Sequence, residues 1–188
     1  MFLPDSPNRG ARDFVSEHFF KNLFGFTLRL SLLKMEQKIK KKYNELKEKY
    51  SLPDFEVLNK NFEISAIEHE DFLLRQIRKK IADKINAMCE FLEDLLSPDT
   101  TMANLYEYKA FDDDERKKIF DLYKKFKVLE KLSLELSLNH DEEKDAEFIN
   151  DFFSSWDKIR NEMATFVKKV KSFWENESTK EYKAGYFG

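Results

Sequence analysis

Large apolar side chains recur at intervals of three and four residues through the last long stretch of the sequence, residues 142–175. This spacing places them on one side of an α-helix, and it is the repeat expected of helices packed nearly parallel to one another. The stretch therefore predicts one long amphipathic helix in a bundle with coiled-coil-like packing. The repeat is formed by Ile149, Phe152, Trp156, Ile159, Met163, Phe166, Val170 and Phe173.

A second stretch, residues 65–97, places an apolar residue at every seventh position from Ile67 to Leu95. At its start, Ser65 and Glu68 have the spacing of a capping box, in which each side chain bonds the other residue's backbone N–H. The pattern predicts another long helix over this whole stretch.

A third helix is predicted over residues 113–138. Asp112 precedes it and Glu115 stands three positions further on, which is again the spacing of a capped helix start. The last two helices are then joined by about three residues, so we expect an antiparallel hairpin. The side chains predicted to face inward are Ile119, Leu122, Phe126, Leu129, Leu132 and Leu136.

The first stretch is less regular and predicts a helix over residues 26–50. Residues 24–32 also alternate between apolar and polar, as a strand would. We favour a helix because apolar residues in 19–33 also fit the spacing of four and three. Gly25 then marks a break after a short first helix near residues 11–23.

Prolines and glycines are scarce, with four of each in 188 residues, which indicates few turns and long elements. Pro53 and Pro98 interrupt the long helices, and the connections around them leave room for short ones, such as residues 102–109. We predict an all-α fold, an elongated bundle of about four long amphipathic helices with one or two short extra helices. Residues 1–10 are expected to form an arm, 11–176 one domain and 177–188 a flexible tail.

The balance of charge excludes a protein drawn to nucleic acid by its overall field, because the formal net charge is -3. Cys89 is the only cysteine, so a disulfide within the chain is excluded, and a cytoplasmic location is expected. The most apolar stretch, residues 19–33, contains Lys21 and Arg29, so we predict no membrane span.

Catalytic motifs are missing from the sequence. The three histidines, His18, His69 and His140, are far apart, and none has a glutamate three positions before it, as di-iron bundles require. No glycine-rich phosphate loop is present. We therefore predict no catalytic residues, no metal site and no cofactor, and we lean against an enzyme.

Basic residues suggest one binding surface. Residues 29–49 hold eight basic and three acidic side chains, a local net charge of +5, and a second basic cluster follows on the next helix. If the two helices pack together, the clusters merge into a patch that could bind phosphates. The alternative interpretation is an ordinary solvated face. The residues of the predicted patch are Lys34, Lys38, Lys41, Lys42, Arg75, Arg78, Lys79 and Lys80.

The large number of aromatic residues suggests a second binding surface. Phenylalanine occurs 19 times, and Phe148, Phe153 and Trp174 lie off the regular repeat, where an interface would use them. The leading hypothesis is a non-enzymatic protein–protein interaction or scaffold module, which binds another protein or its own copy. The alternative is a nucleic-acid-binding accessory protein that uses the basic face of the first two long helices.

Overall fold

The computed structural model describes residues 34–98 and 101–177. Within these ranges the regular elements are helices, and they form an all-α bundle. A 3₁₀ turn, Ile64–Ala66, lies between the second and third helices. The helices are α1 over 34–50, α2 Phe55–Phe62, α3 Leu73–Leu96, α4 Met102–Tyr108, α5 Asp113–Leu138 and α6 Glu142–Glu177.

The predicted helices over 113–138 and 142–175 are confirmed by α5 and α6. The α5 start is fixed by the expected capping box: Glu115 N–H donates to Asp112 Oδ1 at 2.9 Å, and Asp112 N–H donates to Glu115 Oε2 at 3.0 Å. The predicted short helix after Pro98 is present as α4. Local capping and periodicity together therefore determine this half of the chain.

The helix predicted over 65–97 begins later than expected, at Leu73. Ser65 lies in the 3₁₀ turn, where its backbone N–H donates to Asn59 Oδ1 at 2.8 Å, so the predicted capping box with Glu68 is wrong. Phe72 precedes α3 in the left-handed region, with φ of 52°. The chain therefore turns before α3 begins, although Ile67 is still buried.

Helix α3 lies at the centre of the bundle and packs against α2, α4, α5 and α6. Burial of large aliphatic side chains along it removes apolar surface from water, the dominant stabilising contribution in a fold of this kind. In α6, seven of the eight predicted repeat residues are buried and Phe173 is half-buried. The fully buried aliphatic residues of α3 are Leu73, Leu74, Ile77, Ile81, Ile85, Leu92 and Leu95.

Helix α1 lies along α2 and the first turns of α6. Tyr43 Oη donates to the carbonyl of Pro53 at 2.7 Å, which ties α1 to the start of α2. Tyr50 Oη donates to Glu142 Oε1 at 2.9 Å, and Asn150 Nδ2 donates to the Tyr50 carbonyl at 3.0 Å. These bonds connect the end of α1 to α6.

Several predictions lie outside the described residues: the helix start near residue 26, the short helix at 11–23, the helix-or-strand alternative at 24–32, and the arm. All of the predicted tail except residue 177 lies outside them as well. Among the described helices, none combines the length and the apolar character that crossing a membrane requires.

Candidate interaction surface

A buried ion pair lies where the start of α3, the end of α5 and the start of α6 meet. Arg78 Nε donates to Asp145 Oδ1 at 2.5 Å, and the two side chains are 0% and 1% exposed. Arg78 Nη1 also donates to the carbonyl and the hydroxyl of Ser133. Because a buried charge is costly unless it is paired and hydrogen-bonded, these contacts fix the three helices relative to one another.

The need to bond Arg78 sets the orientation of the second half of α5. Ser133 is 5% exposed and faces inward, on the line that Ile119, Leu122 and Phe126 follow in the first half. Ser137 also points to this junction, since Arg78 Nη1 donates to its Oγ at 3.2 Å. Two polar residues thus take the positions that the apolar seam would otherwise occupy.

Four large apolar residues near these serines in the sequence lie on the sides and outside of the helix, whereas Leu129 and Leu136 are half-buried against the core. Leu132, predicted to face inward, is 39% exposed, so that prediction is wrong. Val128, Leu134 and Leu138 are 62%, 57% and 76% exposed. At 100° per residue, these four side chains span about 160° of the helix circumference. We call Val128, Leu132, Leu134 and Leu138 the α5 apolar face.

The first half of α5 exposes mostly charged side chains, together with Phe120, which is 53% exposed. Asp113 and Asp114 are exposed in the first turn, and lysine predominates after it. The α5 apolar face is therefore preceded on the same helix by mainly positive charge. The exposed charged residues from 117 to 125 are Lys117, Lys118, Asp121, Lys124 and Lys125.

The predicted basic residues of α1 lie in surroundings that also contain carboxylates. Lys34, Lys38 and Lys41 are exposed, and Lys42 is half-buried. Two cavities, of about 460 and 620 Å³, are lined by α1 lysines together with acidic residues of the loop before α3. Those carboxylates offset the field that a phosphate would meet. They are Glu68, Glu70 and Asp71, with Glu45 and Glu142 in the larger cavity.

The α3 basic cluster divides between the interior and the surface. Arg78 is buried at the junction described above, so it is not available to a surface ligand and must be removed from the predicted patch. Arg75 Nη2 donates to the carbonyl of Ser137 at 3.3 Å. Lys79 is exposed and Lys80 is half-buried. Arg75 and Arg78 thus both bind α5 through hydrogen bonds.

The three aromatic residues predicted to form an interface differ in exposure. Phe148 is 3% exposed and stacks on Phe152, with ring centroids 6.4 Å apart, so it is a core residue. Phe153 is half-buried against the core. Trp174 is 43% exposed, and its Nε1 donates to Glu107 at 2.8 Å. Trp174 is therefore the member of this set that a partner could reach.

Glu142, at the end of the bundle where α6 begins, has a shifted pKa because of contacts that hold the helices together. Burial raises the pKa of Glu142, but hydrogen bonds from Tyr50 and Lys49 outweigh the effect of burial, so the pKa of this carboxyl lies below its ordinary value.

The described residues offer little for catalysis or metal binding. Burial raises the pKa of the Cys89 thiol, which disfavours the nucleophilic thiolate. Within residues 34–98 and 101–177, no group of three or more His, Cys, Asp and Glu side chains could hold a metal ion.

Sequence reasoning missed the Arg78–Asp145 pair and the α5 apolar face that results from it. The signal was present: Ser133 and Ser137 continue the inward line of α5, and Arg78 lies beside Ile77 on the inward side of α3. Comparison with known proteins found no matching family model, curated protein or solved structure. The functional argument therefore depends on the geometry of this chain.

Proposed function

We propose that this chain is a protein–protein interaction module, and that it binds an amphipathic helix of another protein on the α5 apolar face. The supporting observation is the exposure of four large apolar side chains within eleven residues of one helix. Singly exposed apolar residues are common, whereas several large ones on one side of a single helix are typical of an interaction site.

The charges beside the face indicate the chemistry of the partner. Exposed lysines at 117, 118, 124 and 125 lie on the same helix, and Lys131 and Glu135 are both exposed among the four apolar residues. Opposite charges at the rim of an interface favour encounter and exclude wrong partners. We expect a partner helix with apolar residues along one stripe and carboxylates beside it.

The experiment is affinity capture from the source cell with three forms of the full chain. Leu132→Glu/Leu138→Glu places charge on the α5 apolar face. The control, Val167→Glu, alters a 48% exposed valine of α6. This part of α6 lies beside the start of α5, because Lys169 pairs with Glu115. A partner retained by the wild type and the control but lost from the α5 variant supports the proposal; identical capture by all three contradicts it.

Nucleic-acid binding is a second candidate, which the exposure of Lys34, Lys38 and Lys41 on one side of α1 favours. The carboxylates of Glu70 and Asp71 in the same cavities reduce its strength. Binding of duplex and single-stranded nucleic acid can be measured across a salt series. Affinity that falls steeply with salt, and falls further in Lys38→Glu/Lys41→Glu, supports this function; no binding at low salt removes it.

A cytoplasmic location accords with this proposal, because Cys89 is a free, buried thiol and a reducing compartment keeps thiols in that form.

A further inference from the structure

We infer that the α5 apolar face also binds the α5 apolar face of a second copy of this chain, with the two helices antiparallel about a twofold axis at the level of Ser133. The inference rests on the proposed function, since both require this face to bind a helix, and it names a helix that every copy supplies. Two observations support it: the positions of the apolar side chains and the positions of the charges among them.

The apolar side chains of the α5 apolar face are placed symmetrically about Ser133. Val128 and Leu138 lie five residues before and after it, and Leu132 and Leu134 lie one residue before and after it. A twofold axis perpendicular to two antiparallel helices brings residues at equal distances from the axis to the same level. Val128 of each copy therefore lies beside Leu138 of the other, and the α5 apolar face is complementary to itself.

The same side chains point in the direction from which a second helix would approach. Ser133 is 5% exposed, so the opposite side of the helix faces the solvent. At 100° per residue, Val128 and Leu138 lie about 40° to either side of that outward direction. Leu132 and Leu134 lie about 80° to either side, so near the axis each of them faces the same residue of the second copy along one flank of the contact.

Lys131 and Glu135 share this symmetry and carry opposite charges. They lie two residues before and after Ser133, and each points within about 20° of the outward direction. Lys131 pairs with Glu130 on its own helix, yet 65% of its side chain stays exposed, and Glu135 is exposed as well.

The twofold axis at Ser133 places Lys131 of each copy beside Glu135 of the other, which forms two ion pairs in the middle of the contact. Two parallel helices would instead bring lysine against lysine and glutamate against glutamate, which opposes association. Charges within an apolar contact between helices are best known for fixing register and orientation. Lys131 and Glu135 therefore select the antiparallel arrangement.

The charges beyond the α5 apolar face are complementary in the same arrangement. Lys124 and Lys125 are exposed in the first half of α5, and Lys124 points in the outward direction. In the second copy, the chain beyond the end of α5 continues into Asp141, Glu142 and Glu143. The antiparallel arrangement brings the lysines of one copy toward this acidic segment of the other, and opposite charges at the rim of an interface favour encounter.

The test exchanges the two central charges in the full chain and measures the mass in solution by sedimentation equilibrium over a range of protein concentrations. Lys131→Glu brings acidic side chains together across the axis, and Glu135→Lys brings basic ones together. The double variant Lys131→Glu/Glu135→Lys restores opposite charges in reverse. Lys60→Glu, the same charge change at an exposed position of α2, is the control. Circular dichroism verifies that every form is folded.

We expect the wild type, the control and the double variant to dimerise with dissociation constants that agree within about threefold, and each single variant to associate at least about tenfold more weakly. One face of a single helix is small for an interface, so the dimer should form at micromolar concentrations or above. A wild type that stays monomeric up to about 1 mM would overturn the inference. Single variants that dimerise as well as the wild type would also overturn it, because the copies would then meet elsewhere.

An equimolar mixture of the two single variants gives an independent measurement. In a mixed pair, the two introduced side chains meet with opposite charges, and so do the two native ones. The mixture should therefore dimerise at concentrations at which each single variant alone is monomeric. A mixture that stays monomeric where the wild type dimerises would contradict the pairing of positions 131 and 135.

Partner capture with the wild type and Leu132→Glu/Leu138→Glu distinguishes failure of this inference from failure of the proposed function. A wild type that stays monomeric, yet loses a captured protein on this double substitution, overturns the inference and leaves the proposed function in place. A wild type that dimerises as expected and captures no protein other than its own copy supports the inference and contradicts the proposed function.

Discussion

The two halves of α5 bury different kinds of side chain although they belong to one continuous helix. In the first half, Leu122 and Phe126 are buried, while lysines and Phe120 face outward. In the second half, Ser133 is buried and Leu134 and Leu138 face outward. The difference arises from the neighbouring helix, because a buried arginine requires hydrogen-bond acceptors at the position where a hydrophobic core requires leucine. Which side chains of a helix are buried therefore depends on the neighbouring helices as well as on the spacing of apolar residues in its own sequence.

The largest expected loss of stability comes from breaking the Arg78–Asp145 pair, which causes this difference. Asp145→Ala leaves the Arg78 charge buried without its carboxylate, and loss of one partner of a buried pair costs about 3–5 kcal/mol. Urea unfolding at pH 7, followed by circular dichroism, measures this loss. The double variant Arg78→Met/Asp145→Leu should recover most of the stability, since no buried charge remains. A loss below about 1 kcal/mol for Asp145→Ala would contradict the role given to the pair.

A matched pair of leucine substitutions compares the halves directly. Leu122→Ala removes a side chain that is 2% exposed and should cost about 2–5 kcal/mol through lost burial and the cavity left behind. Leu132→Ala, the same chemical change at a residue 39% exposed, should cost less than about 1 kcal/mol. Unfolding free energies from the same urea titrations give both values. Equal losses would show that Leu132 is buried in solution, which would contradict its place in the α5 apolar face.

Ser133→Ala tests whether the inward serine is needed by Arg78. The change removes a hydroxyl acceptor at 2.6 Å from Arg78 Nη1, although the carbonyl of the same residue still accepts. We expect a loss of about 1.5–3 kcal/mol, the contribution of one hydrogen bond to a charged group. Ser154→Ala on the exposed side of α6 is the control and should change the unfolding free energy little. An Ala at 133 that stabilises the protein would show that the hydroxyl is dispensable.

The smallest effect concerns the start of α5 and its pH dependence. Hydrogen bonds from Lys169 and from the Asp112 backbone hold the pKa of Glu115 below its usual value. A carboxyl with a lower pKa in the folded state contributes stability above its unfolded pKa of about 4.3, and this contribution is lost as the pH falls through the folded pKa. Because the group lies near the surface, we expect about 1 kcal/mol or less.

Glu115→Gln should reduce the change in the free energy of unfolding between pH 5 and pH 3 by about 1 kcal/mol or less. Thermal unfolding of both forms across this range is the measurement, and Glu135→Gln, at an exposed position of the second half, is the matched control. An unchanged slope in Glu115→Gln would mean that the Lys169 contact is not formed in solution.

Much of the fold was predictable from local signals in the sequence. The limits of α5 follow from the Asp112–Glu115 box and the periodicity after it, and α6 from its unbroken apolar repeat. The start of α3 was not predictable in this way. Ile67 and Leu74 keep the seven-residue spacing although a turn through Phe72 separates them, because both reach the same core by different backbone paths.

The candidate site depends on contacts between distant parts of the chain, so periodicity alone misplaces Leu132. Arg78 and Asp145 are 67 positions apart, and nothing in the sequence near either residue identifies the other as its partner. The exposed lysines of α1 were predicted from local spacing, while the carboxylates that share their cavities come from the loop before α3. Tertiary packing decides both cases.

The two tryptophans of the chain lie eighteen residues apart on α6, which is five full turns and about 27 Å. Trp156 is 3% exposed, with its indole N–H bonded to Asn61, whereas Trp174 is 43% exposed. An indole in an apolar environment emits at shorter wavelength than one in water. Trp174→Phe would therefore leave a single tryptophan, beneath Lys84, that reports on the core, and Trp156→Phe would leave one that reports on the far end of the same helix.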